Sequence, residues 1–192
     1  MKASTHILGG FAAAGIALSL GIGHPLTIAT TSAIGSLLPD WDHPRSLIGR
    51  LLPWPAVSHR RGFHRPPAVG RLWWPHPIWH RHQGHSYPLM AAVSLGIAAV
   101  IQPLMHVIHH VVPIAPLPPL PAFRMLVTGL VLGGVSHLVL DGFNDERQWW
   151  LWPLTRHGFR WPLHVSVRYI DALASAVLTV LDLALLFHLH LE

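Results

Sequence analysis

Apolar and polar residues are gathered into long blocks along this chain. Residues 4 to 38 carry no charged side chain and are broken only by Gly21-Ile22-Gly23-His24-Pro25, a turn signal. The pattern predicts a helical hairpin over 4–38, its first helix capped by Ser4 or Thr5 and its second running from about Leu26 to Leu38. Each half is shorter than the roughly 20 residues of a full crossing, which predicts a tilted or partly inserted hairpin. A hairpin returns its ends to one side, so His6 and Asp40 are expected to be neighbours. Residues 39–86 are polar, Pro-rich and loaded with seven arginines. Three apolar stretches follow at 88–112, 124–141 and 170–189, each long enough for a membrane helix. The uncharged Pro113–Pro121 link reads as a stiff extended connection, and 142–169 as a second polar stretch with four arginines. The expected fold class is all-α: an integral membrane helical bundle forming a single domain over 1–192, with three or four crossings according to how the hairpin inserts.

Composition agrees with the pattern. Half the chain is hydrophobic (51%), only 11% is charged and mean hydropathy is +0.41, values that suit a membrane protein better than a soluble domain. The net charge of +5 invites a nucleic-acid reading, but its distribution opposes one. All but one of the 13 Lys and Arg fall in Lys2 and the two polar stretches, and all nine Trp lie between Trp41 and Trp161 in the same stretches. Arginines interleaved with membrane-seeking tryptophans, without any reading motif, exclude nucleic acid as the expected partner. They describe instead one face of a bilayer, cytoplasmic by the positive-inside rule, with short interfacial helices and turns lying against the headgroups. Lys2 alone before the apolar run, with no small-residue cleavage site after it, gives no secretory signal.

The orientation brings candidate chemistry to that same face. In Ser136-His137-Leu138-Val139-Leu140-Asp141, His137 and Asp141 sit one helical turn apart, a spacing at which both can ligate one metal. They continue a stripe begun by Gly129 and Gly133, the signature of close helix packing within a membrane. A structural His–Asp hydrogen bond is the alternative reading. In Leu38-Pro39-Asp40-Trp41-Asp42-His43-Pro44-Arg45-Ser46, an extended backbone would point Asp40 and Asp42 the same way; a solvated turn is the alternative. In His80-Arg81-His82-Gln83-Gly84-His85-Ser86, three imidazoles converge if the backbone turns at Gly84. His59 to His64, crowded by Arg60, Arg61 and Arg65, reads as a headgroup-facing surface. Without cysteine, any metal must be held by the 17 histidines and 8 acids.

Taken together these motifs resemble the bacterial membrane-bound metal-dependent hydrolases of the YdjM-like type. The resemblance rests on Thr5-His6 with the glycines after it, on Leu37 through Ser46, on His80-Arg81 with His85-Ser86, and on Ser136 through Asp141 followed by Leu151-Trp152-Pro153. His82 and Gly84 stand where the family has Gly and Thr, Asn144 where it has Thr, and 53–77 is a long insertion. The acidic motif before the last helix is reduced to Ser166 through Asp171.

The resemblance implies an inner-membrane, cytoplasm-facing hydrolase with His6, Asp40, His80, His85, His137 and Asp141 as ligands of zinc, or manganese, in one or two ions. Asp42 would be a bridging ligand or general base, His43 a proton-transfer group, and Arg45 and Arg81 would neutralise an anionic substrate. A distant similarity to zinc-dependent phospholipase C suggests a phosphoester, and the tryptophan belt a lipid or lipid-linked substrate, attacked by metal-activated water. Two other classes stay open. One is metal binding or transport, with His24, His106, His109, His110, His188 and His190 as an outer group. The other is a structural membrane protein without turnover.

Overall fold

The N-terminal hairpin forms as its turn residues require. Helix α1 (Ala3–Ser19) is followed by Gly21 and Gly23 in left-handed conformations (φ +73° and +86°), which reverse the chain into α2 (Pro25–Gly35). At about 1.5 Å per residue, the 17 residues of α1 reach roughly 25 Å and the 11 of α2 roughly 16 Å, so the hairpin is uneven in depth. Its tip is apolar and exposed at Leu20, Ile22 and Leu26, as befits a loop set in lipid. Neither Ser4 nor Thr5 caps α1 as the sequence suggested. Lys2 holds the N-cap position without a side-chain bond, and the Thr5 hydroxyl reaches another helix instead.

The computed structural model describes residues 2–42, 46–48, 85–111, 122–143, 148–155, 157–159 and 167–191. After the hairpin come a short 3-10 helix, Leu38–Asp42, and three long helices: α3 (Tyr87–Val111), α4 (Phe123–Gly142) and α5 (Val167–Leu191). These three are long and apolar enough to cross a membrane, and their limits lie within three residues of those predicted. Among the described residues the fold is all-helical apart from one isolated antiparallel bridge, Gln148 to Phe159. The 3-10 helix corrects the extended segment expected at Asp40-Trp41-Asp42. At three residues per turn, positions two apart no longer point the same way, which removes the reason for pairing Asp42 with Asp40. The interfacial stretch 49–84, the 113–121 link, His43, Arg45, His80, Arg81 and the Asp42 side chain lie outside the described residues.

Helices α1, α2 and α4 pack as a triangle, with α5 laid against α1 and α3 against α4. Lipid tails are as apolar as leucine, so close approach of the backbones, rather than hydrophobicity, holds such a bundle together. The predicted glycine stripe provides that approach. A Cβ on Gly133 would collide with the Ser32 carbonyl oxygen, one on Gly129 with the Thr31 side chain, and one on Gly35 with the Leu130 carbonyl. Leu38, Met90, Leu130 and Leu138 fill the space towards α3, and Ala14, Ala17 and Ile28 fill the hairpin. The outer faces of α3 (Val100, Leu104, Val107) and α5 (Leu173, Val177, Val180, Leu183) are exposed and apolar, as lipid-facing surfaces must be. At the same end as Asp141, Trp150 rests between Tyr87 and Phe159 (ring centroids 5.7 and 5.0 Å apart), and the Tyr87 amide donates to its carbonyl at 2.8 Å.

Candidate metal centre

The five side chains of the centre come from the ends of four segments. His6 stands in the first turn of α1, Asp40 in the 3-10 helix after α2, His85 two residues before α3, and His137 and Asp141 in the last turns of α4. The hairpin and the antiparallel crossings of α3 and α4 put all these ends at one level. Five of the six predicted ligands therefore converge, and the sixth, His80, lies outside the described residues.

The three imidazoles present Nε2 to the two carboxylates. His6 Nε2 lies 3.5 Å from Asp141 Oδ1, while His85 Nε2 and His137 Nε2 lie 3.4 and 3.5 Å from Asp141 Oδ2. Asp40 Oδ1 stands 3.6 Å from His85 Nε2 and 3.7 Å from His137 Nε2. These separations exceed the usual span of about 2.7–3.2 Å for an N–H···O bond. Ligand atoms held about 2.0–2.1 Å from one zinc at tetrahedral angles stand roughly 3.3–3.4 Å apart. The observed spacing is thus that of groups arranged round a common point.

The tautomer of His137 supports the same conclusion. Its Nδ1 lies 2.6 Å from the Ser36 carbonyl oxygen, so Nδ1 carries a proton and donates, and in the neutral ring the lone pair is the one on Nε2, towards the carboxylates. This is how a metal-binding histidine is held by its outer partner. Ser36 caps the C-terminus of α2, where carbonyls lack intrahelical partners, and the glycine contacts bring that carbonyl within reach. The His6 ring stacks on His137 with centroids 3.6 Å apart and planes 12° from parallel, and His85 stands edge-on to it at 5.3 Å.

His6, His85, His137 and Asp141 have side chains at most 3% exposed, whereas Asp40 is 25% exposed and marks the open side. Nε2 of His6 and Nε2 of His137 form no hydrogen bond among the described residues. Buried polar atoms left so cost about 1–3 kcal/mol each, and a divalent cation between them and the carboxylates would satisfy them. The donor set fits such an ion. Burial resists ionisation of Asp40, but the neighbouring His85 and His137 hold its carboxyl below the usual carboxylate range. Burial likewise opposes charge on His85, yet Asp141 and Asp40 outweigh it and push that imidazole up to about 9, so a cation entering the site would have to displace its proton.

Two supporting groups escaped the sequence reading. One is the Ser36 carbonyl, a backbone atom with no signature of its own, although the Gly129–Gly133 stripe of α4 announced the close packing that delivers it. The other is Gln148, fully buried, whose Nε2 donates to the Asp141 carbonyl oxygen at 3.2 Å and so satisfies the end of α4.

No curated protein and no solved structure matches this chain. One family model does, that of the YdjM inner membrane proteins, and it covers residues 1–189. With all but the last three residues inside that match and three helices able to cross a bilayer, the chain is a membrane protein of the YdjM inner membrane protein family.

Proposed function

We propose that the protein is a metal-dependent hydrolase of the inner membrane that cleaves an ester or phosphoester of a lipid or lipid-linked substrate at the cytoplasmic face. The observation that carries the proposal is the convergence of three buried imidazoles and two carboxylates at ligand spacing, with His137 fixed by Ser36. A divalent cation bound there, zinc or manganese, supplies Lewis acidity, lowering the pKa of water and offsetting the charge of an anionic ester. His6, His85, His137, Asp40 and Asp141 hold it, joined by His80 on the resemblance.

The arrangement favours one ion. Two candidate triplets, His6/Asp40/His137 and His85/His137/Asp141, share His137, whose Nδ1 is already committed to Ser36 and whose Nε2 has a single lone pair. Asp40 gives the more open edge, at the level where α1, α3 and α5 begin and α4 ends, which is the headgroup layer of a bilayer. Arg45 and Arg81 are assigned to the anionic group of the substrate, Asp42 to general-base work or to ligation, and His43 to proton transfer. The phosphoester class rests on these arginines and on an analogy with zinc-dependent phospholipase C drawn from the sequence motifs alone. The cytoplasmic assignment rests on the positive-inside rule.

Elemental analysis of the detergent-purified protein tests the centre. About one zinc or manganese per chain is expected, by the single-site argument above. A chain that takes up none after repletion would leave a structural membrane protein with a His–Asp network. With the metal established, phospholipids and lipid phosphates form the substrate screen. Arg81→Ala should keep full metal content while lowering kcat/KM for an anionic substrate roughly ten- to hundredfold, the worth of one charge-assisted hydrogen bond. Unchanged kinetics would remove Arg81 from the site.

A further inference from the structure

We infer that Asp171 is a positioning residue of the metal centre: from α5, it clamps the first turn of α1 and so holds the His6 imidazole among the other ligands. The inference rests on the metal-centre reading above. Helix α5 supplies no ligand among the described residues, yet its first turns make a buried polar contact with α1. Asp171 Oδ1 accepts from the Lys2 amide at 3.0 Å and from the Thr5 hydroxyl at 2.6 Å, and Thr5 Oγ1 lies 2.9 Å from Ser175 Oγ. Both Thr5 (0% exposed) and Asp171 (6%) are buried, so these bonds are shielded from water. Asp171 Oδ2 also faces Lys2 Nζ at 3.5 Å, but that ammonium is 81% exposed and adds little.

The first turn of α1 needs this help. The Thr5 and His6 amides donate to the Lys2 carbonyl, but Lys2 offers no side-chain cap to the amides before them, and helix ends without caps fray. His6 is the residue after Thr5, within that turn. Unlike His137, it has no outer hydrogen bond, since its Nδ1 is buried without a partner among the described residues. Its ring is therefore oriented by the backbone of α1 and by stacking on His137. Loosening the turn would withdraw one ligand and leave the other four in place.

The test uses the full-length protein in detergent, with Zn²⁺ affinity measured by chelator competition and Co²⁺ as a spectroscopic probe. Asp171→Leu, which keeps the volume but has no acceptor, and Thr5→Val should each weaken Zn²⁺ binding ten- to hundredfold, as losses of outer partners do, whereas Thr5→Ser, which keeps the hydroxyl, should bind as wild type. The d–d spectrum of Co²⁺-loaded Asp171→Leu should shift towards that of His6→Ala. Wild-type affinity and spectrum in Asp171→Leu would overturn the clamp, as would equal losses in Thr5→Ser and Thr5→Val. Amide exchange over residues 3–7 of the metal-free protein gives a readout independent of the ion. It should accelerate at least tenfold in Asp171→Leu, and unchanged exchange would overturn the clamp. A wild-type protein that holds no Zn²⁺ while its Asp171→Leu form shows faster exchange would instead sink the metal-centre reading and leave only a helix clamp.

Discussion

His137→Ala is expected to abolish the proposed metal binding and, with it, any hydrolysis. The substitution deletes the one nitrogen common to both candidate triplets and leaves the Ser36 carbonyl, the Asp40 carboxylate and Asp141 Oδ2 facing an empty volume. The like charges of Asp40 and Asp141 would remain close with one imidazole fewer between them. Metal content should fall from about one ion per chain to near zero under conditions that saturate the wild type, and turnover should drop by about a thousandfold or more, as when a catalytic metal is lost. Asp141→Ala should behave alike, because its two oxygens face all three imidazoles. A His137→Ala protein with full metal content would refute the ligand assignment, whatever its activity.

The second large effect concerns the packing that delivers those ligands. Gly133→Leu should lower stability in detergent by about 1–3 kcal/mol or more, the cost of forcing volume into a closed contact. The obstacle is the Ser32 carbonyl and the backbone at Gly35 and Ser36, which cannot rotate aside as a side chain would. Helix α2 would have to move away from α4, taking the Ser36 carbonyl from His137 Nδ1, so metal affinity should fall along with the melting temperature. Gly96→Ala in α3 provides the contrast. Nothing lies within 4 Å of a Cβ there, and the change should be neutral or slightly stabilising. Equal melting temperatures for Gly133→Leu and Gly96→Ala would show that close approach of α2 and α4 does not hold the bundle together.

Much of this arrangement was legible in the chain because it depends on period and spacing. Gly129, Gly133, His137 and Asp141 fall on one face of any α-helix, and a charge-free hairpin must return His6 and Asp40 to one side. Both statements survive in the structure. The reading failed where conformation depended on what lay across the gap. Asp40 and Asp42 were paired on the assumption of an extended segment, with a turn as the alternative, but the chain leaving α2 continues into a 3-10 turn beside the core of Leu38, Leu130 and Leu138. Thr5 looked like an N-cap, the usual role of a threonine near a helix start, but a carboxylate from a helix more than 160 residues away captures its hydroxyl. The Ser36 carbonyl could not be found at all, since every residue has one and only the packing decides which is used. His43, Arg45, His80 and Arg81, which the resemblance places at the site, lie outside the described residues and rest on that resemblance.

The positions of the proposed ligands have a consequence for how the protein is made. They occur at 6, 40, 85, 137 and 141, with the clamp at 171. A nascent chain that has delivered only its hairpin to the bilayer exposes one imidazole and one carboxylate of the set, too few to retain an ion against cellular chelators. Even after α3 has inserted, the residue that joins both triplets is still inside the ribosome or the translocon. On the proposed reading, an ion would be captured late, once α4 has crossed, and secured later still, when the start of α5 reaches α1. A chain terminated before Asp141 would be born unable to hold metal, and loading would report that synthesis and insertion had both been completed.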